Sequence, residues 1–181
     1  MPLIVIRVKS FSYVIESISH FHSLSKNKNV AQALACDNLN KLAILTVGNV
    51  LRRDDGLGGL IAKKLKEKMV SVPIFDGGEA PENYLEKILK HSPEVVLIID
   101  TVDFNSNPGE VRIFEQDQLL HRDFSTHGMS LKLVMEYLKN RGVKEVRLIG
   151  IQPKDTGLGE GLSKEVEQSM DKVISLCMNY L

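Results

Sequence analysis

The chain has 181 residues, 43% of them hydrophobic and 25% charged, which suits one ordinary globular domain with a buried core. Lysine plus arginine and aspartate plus glutamate stand at 23 each, so the formal net charge is +0 and no global basic field exists to hold nucleic acid or an anionic membrane. The two cysteines, Cys36 and Cys177, are far apart and in no CxxC spacing, which gives neither a disulfide framework nor a thiolate metal site, and no apolar run reaches the length of a membrane span.

Residues 1–40 begin with the apolar segment Pro2 to Val8, which is short, carries Arg7 and lacks the flanks of a secretory signal. A stretch with His20 and His22 follows, then the polar run Lys26 to Asn40. This extension reads either as an added strand and helix or as a poorly ordered leader, and the whole chain reads as cytoplasmic, with no nucleic-acid or membrane partner. From Leu42 onward, short β-branched runs alternate with amphipathic helical runs, so residues 41–181 are expected to form one α/β domain. The expected strands are Leu42 to Val47, Val72 to Phe75, Val95 to Ile99, Val111 to Phe114 and Val146 to Ile151. Three are almost wholly apolar, as strands covered on both faces are.

Leu57 to Met69 predicts a helix with Leu57, Leu60, Ile61, Leu65 and Met69 on one face, and Pro81 opens another at the first helical position. Ser130 is the expected N-cap of a helix over Leu131 to Lys139 that Gly142 ends. In the last helix Ser163 caps a stripe of Val166, Met170, Val173, Ile174 and Cys177. Cys177 is therefore expected as a buried small hydrophobe.

The densest chemical signal is Gly48-Asn49-Val50-Leu51-Arg52-Arg53-Asp54-Asp55-Gly56-Leu57-Gly58, between a buried strand and a helix. In open α/β sheets ligands bind at this carboxyl edge. The segment is neither GxGxxG nor GxxxxGK[ST], and paired carboxylates at its mouth repel phosphate, so a nucleotide site is not expected. Two acids at a helix start can simply answer its unpaired N–H groups, but a cap uses one side chain. The pair predicts that one carboxylate braces the loop and the other points into a cleft. Arg52 and Arg53 read as two solvated charges on a loop rather than as a guide for an acidic peptide.

Asp100 ends the apolar run Val95 to Ile99 and is expected at the same sheet edge as Asp55, where the two can converge. Its alternative is a turn residue opening Asp100 to Asp103. Among five histidines, His20 and His22 read as a solvated pair, His91 as a structural residue at a helix end, and His121 as a loop residue without a partner. His127 stands just ahead of a helix, among small neighbours. Asp55, Asp100 and His127 form a set with no thiolate, which suits borderline divalent ions such as nickel or zinc and leaves coordination positions open. Three ligands without a fourth favour a metal that arrives with, or acts on, a substrate.

These residues fall into blocks: Val47-Gly48-Asn49, Leu51, Asp54-Asp55-Gly56 and Gly58; Asp76-Gly77-Gly78 with Ala80-Pro81-Glu82-Asn83; Ile99-Asp100; Asn107-Pro108-Gly109-Glu110; Ser125-Thr126-His127; and Gly150-Ile151-Gln152-Pro153. In that order, over most of residues 42–155, they resemble the hydrogenase maturation endopeptidases, most closely the branch serving formate-linked hydrogenases. The resemblance implies a three-layer α/β/α sandwich with a twisted, mostly parallel five-stranded sheet. It implies that Asp55, Asp100 and His127 contact a metal; the chemistry of the residues lets a carboxylate such as Asp55 accept a proton as catalytic base, a role the motif itself does not assign. Asn49 and the loop Asp76-Gly77-Gly78 are implied as substrate-binding positions.

The implied metal is nickel supplied by the substrate, with zinc or another divalent ion able to take its place, and no organic cofactor is implied. The implied partner is a nickel-iron hydrogenase large-subunit precursor, cut beyond its last cysteine motif. Family chains start near Leu42, so residues 1–40 are expected to be either an addition to that pattern or the product of an upstream start. Two competing readings remain: a self-sufficient zinc or manganese hydrolase, and a nickel-delivery or assembly module that does not cut.

Overall fold

In the computed structural model, residues 41–68, 71–115 and 128–180 are described. Five strands, β1 (Leu42–Thr46), β2 (Ile74–Asp76), β3 (Val95–Thr101), β4 (Val111–Phe114) and β5 (Glu145–Ile151), form one sheet of order β2-β1-β3-β5-β4. Only β4 runs antiparallel to its neighbour. The helices are α1 (Leu57–Lys68), α2 (Leu85–Leu89), α3 (Gly128–Asn140) and α4 (Lys164–Tyr180), with 3-10 turns over Arg53–Gly56 and Pro81–Tyr84. The expected three-layer sandwich is the observed one.

Side chains alternate across each strand, and the two faces feed two separate cores. Leu42, Ile44, Leu97 and Ile99 pack under α1 and α4, whereas Ala43, Leu45, Val96 and Ile98 pack under α2 and α3. Every residue of β1 is buried, which explains why its sequence is continuously apolar rather than alternating. On α4 the expected stripe of Val166, Met170, Val173, Ile174 and Cys177 is buried, and burial pushes the Cys177 thiol up to about 12.

Four sequence expectations are corrected. The second strand starts at Ile74 rather than Val72, because Pro73 offers only its carbonyl, which accepts the Ile44 N–H, and the ladder proceeds from there. Leu60 is 39% exposed, since at about 100° per residue it lies off the stripe of Leu57, Ile61 and Leu65. Ser130 is inside α3, which already includes Gly128, because the apolar stripe carried by Leu131, Val134, Met135 and Leu138 outweighs the weak helix preference of serine. Finally, β3 continues through Asp100 and Thr101, paired with Gly150 and Ile151, two residues beyond its expected end. Gly142, at φ +94°, does end α3: the Val143 N–H reaches back to the Leu138 carbonyl.

The chain order places β2 on one side of β1 and β3 on the other. The crevice between the carboxyl ends of β1 and β3 is thus the topological switch point, where ligands bind in folds of this kind.

Candidate active site

The turn after β1 is built on close backbone approach. A Cβ on Gly58 would stand 2.0 Å from the Val47 carbonyl oxygen, and one on Gly48 would stand 1.9 Å from that of Asp55. Glycine at both ends lets the start of α1 fold back onto the end of β1. The Asn49 N–H then points at Asp55, 3.1 Å from its backbone oxygen and 3.0 Å from Oδ2.

Asp54 and Asp55 divide their work as the sequence predicted. Asp54 is the brace: its carboxylate accepts the N–H groups of Lys154 (2.8 Å), Asp155 (3.0 Å) and Ser163 (2.6 Å) and the Ser163 hydroxyl (3.0 Å). Ser163 does occupy the cap position of α4, its carbonyl accepting the Glu167 N–H, but its hydroxyl serves Asp54. Arg52 and Arg53 are exposed yet not merely solvated: Arg52 Nε donates to the Thr156 carbonyl at 3.1 Å, and Arg53 pairs with Asp155 at 3.3 Å. The segment over residues 153–163 is strapped to the turn that presents Asp55.

Asp55 is oriented from two sides, by the Asn49 N–H on Oδ2 and by the Thr101 hydroxyl on Oδ1 at 3.1 Å. Thr101 carried no distinguishing signal in the sequence; only the extension of β3 brings it to Asp55. Asp100, one residue earlier, has its side chain on the other face of the strand by alternation, yet stands close enough to Asp55 to feel its charge.

The sequence expected one carboxylate of the Asp54 and Asp55 pair in a cleft and Asp100 at the same sheet edge; the structure keeps the edge but encloses Asp55 and Asp100. Asp55 is 6% exposed and Asp100 is fully buried, and no described residue hydrogen-bonds to either Asp100 carboxylate oxygen. The physical reason is the longer β3, which holds Asp100 within the ladder rather than in a turn beyond it. Burial, and after it the negative charge of Asp55, push the Asp100 carboxyl well above the usual carboxylate range. The Thr101 backbone N–H opposes that shift without reaching hydrogen-bond geometry.

His127 lies outside the described residues, as do Cys36, His20, His22 and His121. Its chain neighbour Gly128 begins α3, whose far end leads through Arg141–Lys144 into the start of β5. A 13-residue helix is about 20 Å long, and α3 packs against β5. His91 is structural as expected, its ring edge-on to Phe75 at 5.7 Å.

The positions read as substrate-binding come together beside β1. Asp76 closes β2 opposite Thr46, and its Oδ1 accepts the Gly78 N–H at 3.3 Å. The Gly77 N–H binds the Thr46 carbonyl at 2.8 Å, and the Gly78 carbonyl accepts the Gly48 N–H at 3.0 Å. Asn49 Nδ2 donates across to Glu79 at 2.7 Å. Asn49, Asp76, Gly77 and Gly78 therefore form one wall, continuous with the turn that carries Asp55.

Comparison with known proteins agrees with this geometry. The family model described as HycI, hydrogenase maturation protease, matches residues 60–180. The Hydrogenase 3 maturation protease of Escherichia coli is 35% identical over 136 residues, covering 72% of this chain and 84% of that protein. The crystal structure of a nickel-iron hydrogenase maturation protease, HycI, from Thermococcus kodakarensis superposes with a TM-score of 0.74 at 33% identity, over 83% of this chain and 97% of that one. The solution structure of the endopeptidase HycI from Escherichia coli gives a TM-score of 0.67 at 30% identity, over 75% and 87% of the two chains. The chain belongs to the hydrogenase maturation protease family and is a peptidase of that kind, which sets aside the non-cutting delivery module.

Proposed function

We propose that this peptidase removes the C-terminal extension of a nickel-iron hydrogenase large-subunit precursor once nickel has been inserted, and that Asp55, Asp100 and His127 take hold of the nickel the precursor carries. The observation that supports this most is the Asp100 carboxyl, buried without a hydrogen bond from any described residue and within reach of the Asp55 charge. Buried polar groups are almost always paired, and one that is not calls for an ion, a water or a catalytic role. A cation arriving between the two acids answers that cost. Two carboxylates and an imidazole suit nickel, and zinc or another borderline divalent ion fits the same donors.

A divalent ion held there supplies Lewis acidity toward the scissile carbonyl or a bound water. Asp55, fixed by Asn49 and Thr101, accepts the proton of the attacking water. Asn49 and the Asp76-Gly77-Gly78 turn hold the polypeptide beside it. No serine or cysteine nucleophile takes part. Because Asp100 is enclosed, docking of the precursor has to open the crevice between β1 and β3 before the ion is gripped. The proposal includes a cytoplasmic location, where newly made precursor is accessible.

The test is to incubate purified protein with precursor large subunit, nickel-loaded or nickel-free, and to follow the precursor's mass. Loss of a C-terminal peptide from the loaded sample alone is expected, and Asp55→Asn should abolish it. Equal cutting of the nickel-free precursor overturns the nickel-gated reading, and no cutting of either overturns the choice of substrate.

A further inference from the structure

Six large hydrophobic side chains are exposed among the described residues, and three of them, Val50 (59%), Leu51 (61%) and Leu158 (82%), belong to two segments that the backbone joins. The Gly159 N–H donates to the Leu51 carbonyl at 2.9 Å, and the Gly159 carbonyl accepts the Arg53 N–H at 2.8 Å. Arg52 and Gly159 form a parallel bridge between residues more than a hundred positions apart in sequence. The Asn49 side chain accepts the Leu51 N–H at 2.9 Å, and Arg53 holds a left-handed backbone at φ +44°. Three aliphatic groups are thus held out in water by a hydrogen-bonded frame that includes a strained residue. Scattered exposed hydrophobics are ordinary, whereas a cluster of them marks a contact surface.

We propose that Val50, Leu51 and Leu158 form an apolar ridge that docks an apolar segment of the precursor next to the bond to be cut. The inference rests on the proposed function and adds to it the chemistry of the segment recognised. Continuity with the site is the first argument. The turn from Asn49 to Asp55 is closed at its base by the Asn49 N–H bond to Asp55, and it carries Val50 and Leu51 at its tip, so a polypeptide reaching Asp55 passes over them.

Size is the second argument. Three partly exposed aliphatic side chains offer on the order of 100–250 Å². A stable interface between two folded chains needs about 800 Å² per partner. That area suits a few residues of extended polypeptide and falls short of a second copy of this chain. Arg52 is exposed beside the ridge and has no carboxylate partner among the described residues, so acidic side chains flanking the apolar segment are favoured over basic ones.

The experiment compares wild type, the double variant Leu51→Ser/Leu158→Ser and the control Leu133→Ser on nickel-loaded precursor. Leu133 is 61% exposed on α3, outside the ridge. The double variant should raise KM about tenfold at unchanged kcat and unchanged Tm, and the control should match wild type. Wild-type KM in the double variant overturns the ridge while leaving the proposed function intact. Failure of wild type itself to cut the precursor overturns the proposed function, and the ridge with it. Sedimentation of the same proteins covers the other occupant: a wild-type dimer that the double variant lacks assigns the ridge to self-association and overturns the proposal.

Discussion

Thr101 and Asp55, 46 positions apart in sequence, are joined by a 3.1 Å hydrogen bond from the threonine hydroxyl to Oδ1 of the carboxylate. The bond fixes one oxygen of the proposed base while the Asn49 N–H fixes the other. Thr101→Val keeps the side-chain shape and removes the donor. We expect kcat for precursor cleavage to fall about tenfold, equivalent to about 1.4 kcal/mol of transition-state stabilisation, with KM little changed. Thr101→Ser, which retains the hydroxyl, should restore most of the rate. A valine variant that cuts at the wild-type rate removes Thr101 from the mechanism.

Asp100 makes the metal-free protein pH-sensitive in a defined direction. Its folded-state pKa lies above the unfolded value of about 3.9, so above that pH the folded state holds a proton the unfolded state has released. The stability it contributes is complete below about pH 3.9 and is lost as pH rises toward the folded pKa. Asp100→Asn removes this slope. In chelator at pH 7 the variant should be more stable than wild type, with the gap closing near pH 4. Denaturant unfolding across that range checks it, and parallel curves for the two proteins contradict it.

Asp54 is expected to be as important for structure as Asp55 is for chemistry. Replacing it with alanine strands three N–H groups and a hydroxyl that now share its carboxylate. A loss of about 2–3 kcal/mol follows from leaving these part-buried donors without their acceptor. Limited proteolysis should cut within residues 153–163, and hydrogen exchange at Lys154, Asp155 and Ser163 should accelerate. Asp54→Asn, which keeps one acceptor oxygen, should lie between the two.

Glycines in the motif blocks are expected to differ sharply in tolerance. At Gly58 an added methyl meets backbone of Val47 at 2.0 Å, so Gly58→Ala must part β1 from α1 and should cost more than about 3 kcal/mol. At Gly78 nothing lies within 4 Å, and only the left-handed φ of +54° resists substitution. Gly78→Asn, a residue that tolerates that conformation, should cost less than about 1 kcal/mol. Thermal unfolding of the two variants separates a packing role from a conformational one.

Much of this architecture was legible because strands covered on both sides leave continuous apolar runs, and helices on a sheet leave stripes spaced by three and four. β1 and the face of α4 were read on that basis. The brace-and-cleft division of Asp54 and Asp55 followed from two acids competing for a single capping role. Less legible were the ends: β3 outlasts its apolar run because Asp100 and Thr101 pair with β5, and no local pattern announces a polar residue kept in a ladder by its neighbour.

The sequence by itself determined the layered α/β fold and the placement of Asp55 and Asp100 at the carboxyl edge of the sheet, since these depend on local periodicity, turn chemistry and chain order. Only the tertiary structure decided that Asp100 is enclosed without a hydrogen bond from any described residue, that Thr101 holds Asp55, and that Leu158 stands beside Leu51. Burial and hydrogen-bond partnership depend on segments that are distant along the chain and close only in space.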